Sequence, residues 1–295
     1  MRIAVIGDIH GAFDDHDVDY FNTSEYDLLL FVGDLEPIGR SPLAEGARVA
    51  SRLSRLTTPA LLVLGNHDGV STPQLVAEAF GMQRAAAAIG LGHVRRLEEL
   101  THRLAPVRVC GYSAHRVAPA GSTDPGDALD VVACRPLSMG GPPLSFPATI
   151  ARLHGVRTIE ESAARLCQQV DRCETGRILF LAHNGPTGLG ARRNDIWGRD
   201  FGRREGDHGD RDLELAVAHA REHGAEVVAV VAGHMHHAVK GGGLRSWHIV
   251  RDNVHHLNAA KVPRIVTRQG RTARHHLSLT TSADGVDVTE VLVEG

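Results

Sequence analysis

The chain has 295 residues, 42% of them hydrophobic, enough to bury a sizeable core in one domain. Its formal net charge of −3 argues against a surface for nucleic acid or anionic membrane, and an aromatic content of 4% argues against a base-stacking platform. The four cysteines, Cys110, Cys134, Cys167 and Cys173, form no C-x-x-C pair, which excludes a zinc knuckle or a paired redox motif and fits a reducing compartment.

Met1 and Arg2 lead straight into the apolar run Ile3 to Ile6, so no leader is predicted and cytoplasm is the expected location. That run ends at Gly7. Tyr26 to Val32 is a second run, ending at Gly33, and Ala60 to Leu64 is a third, ending at Gly65. Such continuous apolar runs read as strands buried on both faces of a sheet. Between the second and third, Ala47, Ala50, Leu53 and Leu56 recur at helical spacing, giving the strand–helix–strand rhythm of an α/β chain. Pro73 to Phe80 reads as a helix capped by Ser71 or Thr72.

Val107 to Tyr112 is a candidate strand. Residues 118–148 are rich in Pro, Gly and Ser and read as a long surface loop. Thr158 to Cys173 is a helix opened by a Thr158-x-x-Glu161 capping box. Arg177 to Ala182 is a fourth buried strand, Leu213 to His223 a helix stopped by Gly224, and Glu226 to Ala232 a fifth buried strand. Extended segments occupy 248–257 and 264–267, with alternating runs after 275. The expected organisation is one domain over 1–295. It carries a loop-rich insertion near 113–150 and a lid loop near 184–212.

The residues just past each apolar run carry the chemistry. Gly7-Asp8-Ile9-His10 stands after the first, Gly33-Asp34 after the second, and Gly65-Asn66-His67-Asp68 after the third. His183-Asn184-Gly185-Pro186 stands after the fourth, and Gly233-His234-Met235-His236 after the fifth. Ligands bind at the carboxyl ends of strands in an open α/β sheet, so strands sharing one sheet would bring the five blocks together. Asp, Asn and His offer mixed oxygen and nitrogen donors, which suit Mn, Fe or Zn rather than Ca²⁺. A carboxylate such as Asp34 can bridge two cations about 3.5–4 Å apart.

These blocks, D-x-H, G-D, G-N-H-D, H and G-H-x-H in this order, resemble the calcineurin-like metallophosphoesterases. CRPLSMGG, LAHNGPTGLG and the stretch Trp197 to Phe201 resemble a cyanobacterial and plastid-type branch. The resemblance implies a four-layer αββα sandwich of two mixed β-sheets flanked by helices, with the tail strands after residue 245 completing the second sheet. It implies a first metal on Asp8, His10 and His236 and a second on Asn66, His183 and His234, with Asp34 bridging. The implied reaction is attack of a metal-bridging hydroxide on a phosphate mono- or diester. His67 would donate a proton to the leaving group and Asp68 would orient His67. The chain departs from the common G-D-x-x-D form, because Pro37 stands where the last Asp would be and Glu36 precedes it.

Substrate choice points to 184–212, which carries Arg192, Arg193, Asn194, Trp197, Arg199, Arg203 and Arg204. Arginine suits bidentate phosphate contacts, and Trp197 could stack on a base or sugar. His237 abuts the last block, and His255-His256 could return beside it. His219 and His223 read as a solvated helix face, and His275-His276 as surface strand. A small phosphorylated substrate, nucleotide-like or sugar phosphate, is the expected partner. The rivals are a nuclease on DNA or RNA, disfavoured by the charge, and an inactive metal-binding scaffold, disfavoured by the His67-Asp68 pair.

Overall fold

The computed structural model describes residues 1–37, 42–202, 204–282 and 285–295. Arg203 therefore lies outside the described residues. The strands run β1 (Arg2–Ile6), β2 (Leu28–Phe31), β3 (Ala60–Val63), β4 (Arg108–Cys110), β5 (Ser113–Val117), β6 (Leu129–Ala133) and β7 (Arg177–Leu181). They continue with β8 (Glu226–Ala232), β9 (His248–Arg251), β10 (Val254–Asn258), β11 (Ile265–Arg268), β12 (Arg271–Ser282) and β13 (Gly285–Glu294). The α-helices are α1 (Asp15–Thr23), α2 (Pro42–Leu53), α3 (Thr72–Ala79), α4 (Gln83–Ile89), α5 (His93–Leu104), α6 (Pro147–His154), α7 (Ile159–Val170) and α8 (Arg211–Glu222).

One sheet is ordered β11-β12-β1-β2-β3-β4, with β13 paired to β12; the other is ordered β5-β6-β7-β8-β10-β9. β1 to β4 are parallel, as are β6, β7, β8 and β10, and antiparallel strands close the edges. Alternate residues of each strand serve different cores, as the period of two demands. Ile3, Val5, Leu28, Leu30, Leu179, Leu181, Ala229 and Val231 fill the layer between the sheets. Ala4, Ile6, Leu29, Phe31, Ile178 and Phe180 face the outer layers with helical residues such as Leu53, Leu97, Leu166 and Leu213. α2 and α5 lie together beside the first sheet, α7 and α8 beside the second. The result is the sandwich of two mixed sheets between helices that the resemblance implied.

Several expectations need correction. The 118–148 stretch is not all surface loop: β6 is a fully buried inner strand, and Cys134 to Leu137 are buried after it. Its four apolar residues are interrupted by Asp130 and framed by Pro and Gly, which hid them. The tail completes both sheets rather than the second alone: β9 and β10 join the second, while β11 to β13 join the first through β12. Alternation identifies a strand but not its neighbour. His275 and His276 are buried, since β12 is an inner strand: His276 Nε2 meets the Tyr26 hydroxyl at 2.8 Å and His275 Nε2 meets Glu290 Oε1 at 3.1 Å. The Thr158 hydroxyl accepts from Glu161 N at 3.2 Å, but Glu161 turns back to the Arg157 N–H at 2.6 Å, so only half of the expected box forms.

Candidate metal centre

The five blocks stand at the carboxyl ends of parallel strands, but not in one sheet. β1, β2 and β3 deliver Asp8, His10, Asp34 and Asn66 from the first sheet; β7 and β8 deliver His183, His234 and His236 from the second. The two sheets stack with these ends together, so the donors meet across the seam.

The turns after the strands are sharp. Asp8 (φ 35°), His10 (φ 44°), Asp34 (φ 53°) and His234 (φ 66°) all hold left-handed backbone, a conformation few non-glycine residues adopt. Strain of this kind gathers at functional sites and persists because surrounding bonds enforce it. Here His10 N donates to the Asp34 carbonyl at 2.7 Å and Gly11 N to the Leu35 carbonyl at 2.9 Å. Two glycines open the space. A Cβ on Gly65 would lie 2.2 Å from Asp34 Oδ1, and one on Gly233 would lie 2.2 Å from Asp8 Oδ1.

Three donor clusters result: Asp8 with His10 and His236, His10 with Asp34 and His67, and Asp34 with His183 and His234. The atoms fit cations. The Glu36 carbonyl accepts from His10 Nδ1 at 3.2 Å, which leaves the Nε2 lone pair aimed inward. His236 Nε2 faces that lone pair at 3.2 Å and Asp8 Oδ2 at 3.3 Å, and Asp8 Oδ2 is buried without a hydrogen bond. The Val32 carbonyl accepts from His183 Nδ1 at 2.6 Å, so His183 Nε2 turns its lone pair on Asn66 Oδ1 at 2.9 Å. Two acceptors at that separation repel unless a cation lies between them. The Met139 carbonyl accepts from His234 Nε2 at 3.0 Å, leaving Nδ1 for ligation.

Electrostatics keep the two aspartates ionised. Burial opposes ionisation of Asp8, yet the contact with His236 and the fields of His236, His183 and His10 hold its pKa well below the carboxylate range. Burial likewise works against Asp34, and His67, His183 and His10 outweigh it. Burial drives His234 far below the usual histidine range. At His236 burial is overcome by the contact with Asp8, and the pKa rises.

His67 borders the cage, its Nε2 3.9 Å from Asp34 Oδ2 and its backbone N–H donating to Asp34 Oδ1 at 2.9 Å. The expectation that Asp68 orients the His67 ring is overturned. Asp68 Oδ1 accepts from Leu35 N at 2.7 Å and Glu36 N at 3.3 Å, and Oδ2 accepts from Gly65 N at 2.8 Å and Asp34 N at 3.1 Å. Four donors use its whole lone-pair capacity. It is a buried staple that holds the Asp34 turn to the Asn66 turn. Burial and the nearby Asp34 and Glu36 carboxylates push its pKa up, while these four N–H groups favour the anion. Glu36 does not replace the missing Asp as a donor either; its Oε2 accepts from Gly69 N at 3.1 Å, and burial lifts its pKa to about 7.

The expected substrate residues are not gathered at the cage. Trp197 is 1% exposed, with its ring against Gly185, so it is core and offers no stacking face. His237 is buried, with Nε2 donating to the Asn258 carbonyl at 2.8 Å, and His256 is buried beside Trp197. Arg193 pairs with Glu205 at 2.6 Å, while Arg192 and Asn194 are exposed on the same loop. That loop is anchored: Arg245 donates to the carbonyls of His236 (3.0 Å), Asp195 (2.9 Å) and Gly198. His219 pairs with Asp171 at 2.7 Å, as a solvated face allows.

Sequence reasoning missed Arg245, His93 and His208. His93 is buried and reaches the Asp68 carbonyl at 3.2 Å, and His208 reaches the Met139 carbonyl at 2.8 Å. No local motif marks any of them, because each acts on a backbone carbonyl of a distant segment.

Residues 1–238 match the calcineurin-like phosphoesterase family, and the chain belongs to it. Its chemistry is therefore hydrolysis of phosphoesters with divalent metal. No curated protein matches the chain. No helix among the described residues is long and apolar enough to cross a membrane.

Proposed function

We propose that the chain is a two-metal phosphoesterase acting on a small-molecule phosphate mono- or diester. Asp8, His10 and His236 hold one cation, Asn66, His183 and His234 hold the other, and Asp34 is shared. The observation that carries this reading is the aim of the Asp34 carboxylate: Oδ2 faces His10 Nε2 at 3.7 Å and Oδ1 faces His183 Nε2 at 3.5 Å. One oxygen turned to each donor group is what a bridging carboxylate requires. The nitrogen and oxygen donors favour Mn, Fe or Zn.

When bound, such cations supply Lewis acidity toward phosphoryl oxygens and lower the pKa of water. The chain does the rest. Asp8, Asp34 and the histidines fix the donor positions through backbone bonds that form before substrate arrives. His67 holds Asp34 through its N–H and presents Nε2 at the rim, where it delivers a proton to the leaving-group oxygen.

Purified wild type should retain two equivalents of Mn, Fe or Zn by elemental analysis and hydrolyse p-nitrophenyl phosphate once loaded. Asp34→Asn and His234→Ala should abolish turnover while melting as wild type does. Full metal-dependent activity in either variant would sink the ligand assignment, and one equivalent of metal would sink the paired centre.

A further inference from the structure

A cleft of about 400 Å³ is walled by the 139–145 segment, the end of α3, Arg199, Phe201 and residues 206–208. Met139 links it to the metal ligands, since its carbonyl accepts from both His234 and His208. The His208 ring lies near-parallel to His234, centroids 6.2 Å apart. Phe201 stands edge-on to His208 at 4.9 Å, yet is 40% exposed. Phe201 thus lends the cleft an accessible aromatic face, two rings removed from His234. Pro142 and Pro143 add a rigid apolar wall.

The polar groups of the cleft differ in commitment. Asp207 accepts from Gly188 N at 2.6 Å and Gly209 N at 2.8 Å. Glu78 accepts from Phe146 N at 3.4 Å and Gln83 Nε2 at 3.3 Å. Arg199 donates Nε to the Arg204 carbonyl at 3.1 Å, and among the described residues no carboxylate pairs with its guanidinium. The cleft thus offers a flat apolar face and one uncommitted fork donor, at a volume typical of small-ligand sites.

We infer that this cleft seats the leaving group of a nucleotide-type phosphoester, with the base against Phe201 and the two prolines and a second phosphate on Arg199. The inference rests on the phosphoesterase reading above and narrows it, since a planar base offers Phe201 and the prolines a wider face than a sugar phosphate does. The test is calorimetric titration of wild type, Arg199→Gln and Phe201→Ala with ADP and with ribose 5-phosphate, alongside hydrolysis of p-nitrophenyl phosphate. Wild type should bind ADP at least about tenfold more tightly than ribose 5-phosphate, and Arg199→Gln should weaken ADP about tenfold, the loss of one charged phosphate contact. Phe201→Ala should weaken ADP about fivefold, the loss of a stacking face. Equal affinity for the two ligands in wild type, or ADP affinity unmoved by both substitutions, overturns the inference even where hydrolysis proceeds. ADP preference lost in both variants supports it even where hydrolysis fails, a failure that would count against the metal reading instead.

Discussion

Replacing Asp68 with Asn tests whether this buried carboxylate is a staple between turns or the partner of His67. The amide keeps the shape but turns one acceptor oxygen into an NH₂ that faces two backbone N–H groups. Those are Leu35 and Glu36 on one side, or Gly65 and Asp34 on the other. Each buried N–H left without an acceptor costs about 1–3 kcal/mol, so the variant should lose about 2–6 kcal/mol. That is a large share of a typical stability of about 5–15 kcal/mol. Urea unfolding of metal-depleted wild type and variant measures it directly. His67→Ala should change stability by less than about 1 kcal/mol, because the bond to Asp34 is donated by the backbone N–H, which the substitution keeps. In a double-mutant cycle the two substitutions should reduce turnover independently, since Asp68 acts on Asp34 and Asn66 rather than on the imidazole. The reasoning is refuted if Asp68→Asn unfolds at the wild-type urea concentration. It is equally refuted if Asp68→Asn leaves the turnover of His67→Ala unchanged.

Arg135 is 2% exposed and lies between Asp210 at 2.9 Å and Asp212 at 2.8 Å, so Arg135→Ala strands two buried carboxylates and should lower stability by about 3–5 kcal/mol in a denaturant titration. Gly233→Ala places a methyl on Asp8 Oδ1 and should reduce bound metal, measured by elemental analysis, with little change in circular dichroism. Stability should also fall in acid through histidines held neutral by burial. The pKa values of His275 and His276 are pushed down to about 3, and those of His93, His154 and His256 to about 4. Their ordinary value is about 6.5, so the unfolded chain takes up protons first and native stability, full above pH about 6.5, declines as pH drops toward 4. Melting scans of metal-free protein at pH 7.5 and 5 check this, and a melting temperature unchanged or higher at pH 5 would show that these rings are not held neutral.

The five strands that carry the donor blocks, and the blocks themselves, were legible in the sequence for the same reason. Strands buried on both faces are unbroken apolar runs, and four of the five break where Gly7, Gly33, Gly65 or Gly233 lets the chain turn beside a carboxylate or another backbone. What was not legible depends on neighbours. Alternation marked β12 as a strand but could not reveal that α1 and the second sheet cover its two faces, so His275 and His276 looked exposed. Trp197 looked like a stacking ring because nothing local records that Gly185 leaves room for it in the core. The resemblance implied that Asp68 orients His67, and nothing local records that the backbone of 34–36 takes that carboxylate instead.

The placement of the donors on opposite sides of the seam has a consequence for how the protein comes together. Neither sheet carries both proposed ligand sets, so the proposed pair of sites would be complete only once both sheets have docked. A cation in the proposed sites would work as a rivet: it would bind the assembled protein better than either sheet alone, and by mass action lend its affinity to their association. Substitutions that loosen the apolar layer between the sheets, far from any phosphate, will then surface as leaking metal while the helices and strands are still intact.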